Sequence, residues 1–342
     1  MKILFTGDPH LRHQRFELSL NFLKWINEVC VQHQPDWFVN LGDTFNDHAV
    51  VRTELQTEFR YHLDYIMENT NAKYIYILGN HDMSKPSDPK YHALRSMVGL
   101  YPERFIVVDK RMDIGNITLV PYMHNHQDFP KDTQEIVIAH QTFVGADYGF
   151  TRPEVGVDAG LVAAELIISG HIHKRQDFGK VYYPGTPFAA DAKDMDQIKG
   201  VMCLDTDTYK QTFIPSPFPL WRHLAFVLSP EVTIGDCHNE IVTNINKVDH
   251  WVLDLTGTKS EIMGYLNSNK YRDAVEGCDI KPNHTFTDKD KRKVKIQSLS
   301  METIFSEYVD KVYSGNLDKA QLKGMALEFL NQARQANSKQ KM

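Results

Sequence analysis

Five short apolar runs in the first 175 residues each stop on a polar tip, and this pattern constrains the fold more than any bulk property. Lys2–Thr6 runs into Gly7-Asp8-Pro9-His10, and Trp37–Leu41 into Gly42-Asp43. Tyr74–Leu78 runs into Gly79-Asn80-His81-Asp82, Ile136–Ala139 into His140, and Leu166–Ser169 into Gly170-His171-Ile172-His173. Continuous apolar runs of this length suit strands buried on both faces. Between several of them apolar residues return at helix spacing: Phe16, Leu20, Leu23, Ile26 and Val29, then Leu55, Phe59, Leu63 and Ile66. Strand alternating with helix predicts a layered α/β architecture with a substantially parallel core. Ligands of open α/β sheets bind at the carboxyl ends of strands, and all five tips sit at that end.

The tips contribute Asp8, His10, Asp43, Asn80, His81, Asp82, His140, His171 and His173. These are oxygen and nitrogen donors with no thiolate, a set that suits manganese, magnesium, iron or zinc. If one carboxylate bridges, eight ligand contacts serve two ions, and two ions can clamp a phosphate. Asp8 and His10 stand two apart at a strand end and can face one ion, with Pro9 stiffening the turn. His171 and His173 share that spacing, with Ile172 anchored on the opposite face. Asp43 follows a glycine, which allows the turn that aims its carboxylate. Taken singly, each motif has an ordinary reading: Asp after Gly is most often a turn. His140 alone is a polar residue at a strand end. Five tips in fixed order, each closing a separate apolar run, do not arise from five independent turns.

Composition narrows the class. Apolar residues make up 42% and charged residues 24% of the 342, as in soluble globular proteins. The formal charge of −6 argues against gripping nucleic acid through bulk positive charge. The four cysteines form no CxxC pair and suit a reducing compartment. No signal peptide is evident, and no run approaches the about 18 apolar residues of a membrane span. A cytoplasmic location with no membrane is the expectation. Sixteen histidines direct attention to metal binding and acid–base chemistry.

The pattern changes at Pro215-Ser216-Pro217-Phe218-Pro219, which can continue neither a helix nor a central strand. The expected organisation is a first domain over 1–219, a small α/β domain over 220–298, and C-terminal helices over 299–336. The small domain has strand-like runs at Leu224–Leu228, His250–Leu255 and Lys293–Ile296, with a helical pattern near Glu261–Leu266. Helical spacing recurs at Ile304, Tyr308, Val309 and Val312, then at Leu322, Met325, Leu327 and Leu330.

Asp8-x-His10, Gly42-Asp43, Gly79-Asn80-His81-Asp82, His140 and Gly170-His171-x-His173 together resemble the full signature of the calcineurin-like metallophosphoesterases. Within that superfamily the chain resembles the SbcD-type recombination nucleases of bacteria and phages and the meiotic recombination eleven proteins of eukaryotes. The run Lys180–Tyr183 into Pro184-Gly185-Thr186-Pro187-Phe188, the strand opening at Gly200 and the closing Phe213-Ile214-Pro215 are similar to that family, and the overall length is similar to its phage members.

The resemblance implies a layered α/β-β-α sandwich with a smaller capping domain and C-terminal helices. It implies a DNA nuclease, 3′-to-5′ on duplex ends and endonucleolytic on single strands, using two divalent ions, manganese first and magnesium second. One ion would take Asp8, His10, Asp43 and His173; the other would take Asp43, Asn80, His140 and His171. His81 would face the scissile phosphate without ligating. The family usually places a His or Asp three residues after the bridging Asp, to support that histidine. Here Asn46 stands there, followed by Asp47 and His48, which leaves the partner of His81 open. Asp47, His48 and Asp82 are supporting candidates, and Asp82 could also be a helix N-cap.

The resemblance further implies partners: DNA, an SbcC-type coiled-coil ATPase docked on the C-terminal helices, and a second copy packed through Arg52–Met67 and Tyr91–Val98. Those C-terminal helices could instead pack on their own small domain. Lys289, Lys291, Arg292, Lys293 and Lys295 form a basic cluster that either touches DNA or is a solvated strand edge. Two other readings compete. A phosphatase or small-molecule phosphodiesterase is disfavoured because Gly42-Asp43-Thr44-Phe45-Asn46-Asp47-His48 lacks the arginine of phosphoprotein phosphatases. A non-catalytic scaffold is disfavoured because no ligand is missing.

Overall fold

The computed structural model describes residues 1–48, 50–149, 155–189, 194–287, 318–320 and 322–324. The chain divides into two compact units, 1–287 and 288–342. The first unit runs β1 (Lys2–Thr6), α1 (Phe16–His33), β2 (Trp37–Asn40), α2 (Thr53–Asn69), β3 (Lys73–Ile77), β4 (Met83–Lys85), β5 (Asp88–His92) and β6 (Phe105–Val108). It continues through β7 (Met112–Ile114), β8 (Ile117–Val120), β9 (Ile136–His140), β10 (Leu166–Gly170), β11 (Gln176–Phe178), β12 (Val181–Tyr183), β13 (Gly200–Asp205) and β14 (Gln211–Pro215). It ends with β15 (Trp221–Val227), α3 (Ile234–Asn244), β16 (His250–Gly257), α4 (Lys259–Leu266), α5 (Asn269–Ala274) and β17 (Asp279–Phe286).

Two six-stranded sheets carry the tips, in the orders β14-β13-β1-β2-β3-β6 and β11-β12-β10-β9-β8-β7. Their inner strands are parallel: β1 to β2, β2 to β3 and β3 to β6 in one, β8 to β9, β9 to β10 and β10 to β12 in the other. Side chains alternate between two cores, as the period of a strand requires. Ile3, Phe5, Val39, Ile75 and Ile77 pack against Ile117, Leu119, Ile136, Ile138 and Ile168 of the second sheet. Leu4, Phe38, Tyr74 and Tyr76 point the other way, onto Phe22, Ile26, Phe59 and Leu63 of α1 and α2. The continuous apolar runs are therefore strands sandwiched between a helical layer and a second sheet. The far face of that second sheet, with Val137, Ala139, Ile167 and Val181, packs under Phe129, Phe143 and Val162. Among the described residues this cover comes from loops and 3₁₀ turns at His126–Asp128 and Ala159–Leu161.

A separate parallel sheet, β15-β16-β17, follows Trp221 and encloses its own core of Ile241, Leu253, Ile262, Tyr265 and Tyr271. The proline-rich segment before it is anchored: the Phe218 ring lies 5.7 Å from Trp25 and 5.9 Å from Phe188. Tyr91–Val98 is not helical; it holds the end of β5 and a 3₁₀ turn at Arg95–Met97. In the second unit, residues 319–320 and 322–324 are helical. Apart from 318–320 and 322–324, the stretch 299–336 lies outside the described residues, as do the run Lys293–Ile296 and the basic cluster Lys289, Lys291, Arg292, Lys293 and Lys295.

Candidate metal centre

The tips reach one another through strained backbone. Asp8, His10, Asp43 and His171 have φ of 43°, 45°, 49° and 82°, in the left-handed region that disfavours side chains. Each such residue costs on the order of 1–3 kcal/mol and persists only where its surroundings over-determine it. Here main-chain bonds between tips do so. His171 N–H donates to Asp8 Oδ1 at 2.8 Å, and His10 N–H to the Asp43 carbonyl at 3.0 Å. His81 N–H donates to Asp43 Oδ1 at 2.7 Å. Glycines permit this closeness. A Cβ on Gly79 would fall 2.5 Å from Asp43 N, and one on Gly170 would fall 2.5 Å from the Leu41 carbonyl oxygen.

Asp82 ties the turns together. Its fully buried carboxylate accepts from Gly79 N–H at 2.9 Å, Asp43 N–H at 2.8 Å, Thr44 N–H at 3.1 Å and the Tyr76 hydroxyl at 2.8 Å. The N-cap alternative is wrong, because β4 rather than a helix follows Asp82. Burial, reinforced by the Asp43 charge, pushes its carboxyl up to about 6.

Two ligand groups result. Asp8, His10 and His173 offer one atom each within 4.8 Å of one another, and so do Asp43, His140 and His171. His10 Nε2 and His173 Nε2 are 3.0 Å apart, and His171 Nδ1 and His140 Nε2 are 3.2 Å apart. Asn80 Oδ1 lies 3.3 Å from His140 Nε2. Asp43 Oδ2 faces both groups, 3.9 Å from His10 Nε2 and 3.3 Å from His140 Nε2. His140 Nδ1 donates to the Leu41 carbonyl at 2.7 Å, which leaves Nε2 turned inward, as metal-ligating histidines require. His81 also comes within 4.8 Å of His10 and Asp43.

The charges fit a cation. Asp8 Oδ2 is buried with no hydrogen-bond donor among the described residues, which is costly for a carboxylate oxygen unless a cation meets it. Burial, opposed by His140, leaves the Asp8 carboxyl up at about 7. Burial also pushes Asp43 up, but His140 outweighs it and holds Asp43 well below the usual carboxylate range. Burial favours neutral His140, yet the Asp43 and Asp8 charges raise it to about 9. Burial drives His10 well below its ordinary value and His171 down to about 3. Two carboxylates pushed apart beside the neutral imidazoles of His10 and His171 make a set of hard and borderline donors for a divalent ion, whose charge would replace that of the proton the two carboxylates hold on His140.

His81 finds its partner in the main chain. Its Nδ1 lies 2.7 Å from the Asn46 carbonyl oxygen, which can only accept, so Nδ1 carries the hydrogen and Nε2 is left free. The His48 ring stacks on it, with centroids 4.4 Å apart and planes at 22°. Asp47 bonds the Asn46 side chain at 2.6 Å. The Asn46 side chain thus does not orient His81; its carbonyl does.

Two contributors escaped the reading of the sequence. Tyr122 puts its ring 5.6 Å from His171 and 6.1 Å from His140. Its signal was a sixth strand with a polar tip, Ile117–Val120 followed by Pro121-Tyr122-Met123-His124. Beneath His173, buried Lys199 pairs with Asp194 at 2.6 Å and donates to the His173 carbonyl at 2.9 Å.

Comparison with known proteins agrees with this geometry. Residues 1–175, slightly more than half of the chain and containing every tip, match the calcineurin-like phosphoesterase family model. The chain is 22% identical over 332 residues to exonuclease subunit 1 of Enterobacteria phage T4, covering 91% of this chain and 93% of that protein. It is 26% identical over 204 residues to a protein of Invertebrate iridescent virus 3 named as a phosphoesterase (078R), over 54% of this chain and 57% of that one. A similarly named protein of Invertebrate iridescent virus 6 (244L) is 28% identical over 201 residues, covering 54% of this chain and 69% of that one. With its polar tips assembled at the strand ends and the family model spanning all of them, the chain belongs to the calcineurin-like phosphoesterase family.

Proposed function

We propose that the chain is a divalent-metal-dependent DNA nuclease, acting 3′-to-5′ on duplex ends and endonucleolytically on single strands. It would serve as the nuclease subunit of a complex with an SbcC-type ATPase in DNA recombination, repair or degradation. The observation that carries the phosphodiesterase reading is Asp43 Oδ2, turned to His10 on one side and His140 on the other. The choice of DNA is supported by the end-to-end similarity to an exonuclease subunit.

In this reading Asp8, His10, Asp43 and His173 hold one ion, and Asp43, Asn80, His140 and His171 hold the other, with Mn²⁺ first and Mg²⁺ second. Ions bound there would offset phosphate charge and would make a nucleophile available at neutral pH. The protein supplies the rest. Asn46 fixes the His81 tautomer, so that Nε2, when protonated, can donate to the scissile phosphate and to the departing oxygen. His48 limits rotation of that ring. Asp82 holds the turn that aims Asp43.

Residues 1–219 form the catalytic domain, 220–298 a DNA-facing cap, and 299–336 the ATPase-binding segment. A second copy packs against α2, where Tyr61 and Tyr65 are exposed. No helix among the described residues is long and apolar enough to cross a membrane, and the expected location is cytoplasmic. The test is cleavage of end-labelled duplex DNA with Mn²⁺, beside a generic phosphomonoester. DNA cleavage that is lost in Asp43→Ala supports the reading. Efficient monoester hydrolysis without DNA cleavage, with or without the ATPase, overturns it in favour of a phosphatase.

A further inference from the structure

A cleft of about 630 Å³ separates the start of α1 from the third sheet, and it takes no part in the metal centre. One wall is a row across three adjacent parallel strands. Trp221, His250 and Asp279 are direct register partners at the start of β15, β16 and β17. The indole and imidazole rings lie 5.0 Å apart with planes at 32°, and His250 Nδ1 donates to Asp279 Oδ2 at 2.6 Å. A carboxylate only accepts, so His250 is left with Nε2 for a ligand. The opposite wall carries His13, Arg15 and Phe16. Among the described residues the Arg15 guanidinium makes no ion pair or side-chain hydrogen bond.

These residues come from four distant parts of the chain and combine flat π surfaces with an uncommitted guanidinium. That is the equipment of single-stranded nucleic-acid sites: bases stack on aromatic faces, and cations meet the backbone. The volume falls within the roughly 300–1,000 Å³ of small-ligand sites, so it suits one nucleotide and not a duplex. Glu17 and Asp279 also line the cleft, which disfavours a long phosphate track. His13 follows the ligand His10 by three residues, so their Cα atoms are at most about 11 Å apart. With strand phosphates spaced by roughly 3.4 Å or more, the cleft opens within a few nucleotides of the metal centre.

We propose that this cleft holds an unpaired nucleotide of the DNA strand being cut, with its base stacked on the Trp221–His250 row and its phosphate met by Arg15. The proposal rests on the DNA-nuclease reading and adds to it a subsite for a splayed base. The experiment measures Mn²⁺-dependent cleavage of an end-labelled single-stranded oligonucleotide by the full chain, beside hydrolysis of bis(p-nitrophenyl) phosphate, which has no base. Trp221→Leu keeps apolar bulk but loses the π face; Trp221→Phe keeps both. Trp221→Leu is expected to raise KM for the oligonucleotide by about five- to one-hundred-fold, with the small diester hydrolysed as by the wild type. Trp221→Phe should restore most of the loss, and Arg15→Gln should weaken oligonucleotide binding alone. An unchanged KM in Trp221→Leu, an equal defect in Trp221→Phe, or a parallel fall on the small diester overturns the subsite. A wild type that hydrolyses the small diester and never DNA sinks the nuclease reading itself, a result distinct from all of these.

Discussion

The Tyr76 hydroxyl donates to Asp82 Oδ1 at 2.8 Å, across the six-residue step from the helix-facing side of β3 to the turn that aims Asp43. This explains a tyrosine in the middle of an apolar strand. Tyr76 packs its ring against Phe59 and anchors the carboxylate that gathers the Gly79, Asp43 and Thr44 amides. Tyr76→Phe removes one donor from a buried carboxylate and should destabilise the fold by about 1–3 kcal/mol in denaturant titration. A loss below a few tenths would remove Tyr76 from the support of the site.

Asp82→Asn replaces an acceptor of five bonds, the longest from Phe45 N–H at 3.5 Å, with a group that must present an amide N–H to some of the same donors. Supporting groups of this kind are worth about 10- to 100-fold in metal affinity. Titration calorimetry with Mn²⁺ should show such a loss with the far-UV spectrum unchanged. Wild-type affinity would show that the Asp43 turn holds without the Asp82 cage.

Asn46 and His48 should part company. The Asn46 contribution is a carbonyl, which Asn46→Ala retains, so its DNA cleavage should stay within about threefold of wild type. His48→Ala removes a stacked ring worth about 0.5–1.5 kcal/mol, or about two- to tenfold in kcat. The reverse order would return the orienting role to the Asn46 side chain.

His62 gives stability a pH dependence remote from the metal centre. Its buried ring donates to Asn27 Oδ1 at 2.5 Å and accepts from the Tyr74 hydroxyl at 3.1 Å, and burial lowers it to about 3. The unfolded chain, titrating near the ordinary value of about 6.5, binds more protons through that window. Stability from His62 is thus complete above about 6.5 and is lost as pH falls toward about 3. In chemical denaturation the wild type should lose up to about 1.4 kcal/mol per pH unit more than His62→Gln there. Parallel curves would show that His62 takes up its proton in the folded state.

Lys199→Met should be severe. It removes the Lys199 ammonium from the buried Asp194 carboxylate and frees the His173 carbonyl from one of its donors. Breaking one side of a buried pair costs about 3–5 kcal/mol. A melting temperature equal to the wild type would mean that the Lys199–Asp194 pair adds nothing to the stability of the fold.

The candidate ligands that the fold brings together were legible because each combines two local signals, an apolar strand and a side chain able to coordinate at its end. Tyr122 follows a sixth apolar strand, but its tip carries none of the Asp-x-His, Gly-Asp, Gly-Asn-His-Asp or Gly-His patterns that marked four of the other five, so the signal was passed over. The partner of His81 was illegible for another reason: a main-chain carbonyl is present at every residue, and only the path of the chain places that of Asn46 under the ring. Asp82 gave a polar signal with no direction, because a carboxylate after a strand can cap a helix or gather amides. β17 was missed since it is largely exposed and carries Pro282, so it shows no apolar run. Lys199 looked like an ordinary charged residue, for burial is not a local property of sequence.

The role of His81, on the phosphate rather than on the ions, is the most direct point at which the proposed chemistry can fail. Mn²⁺ bound per chain by His81→Asn, measured at equilibrium beside its rate on end-labelled DNA, decides this. The expected result is the wild-type complement of two ions with cleavage reduced by about 100-fold or more. A variant that loses a bound ion together with its activity would contradict the account and make His81 a ligand.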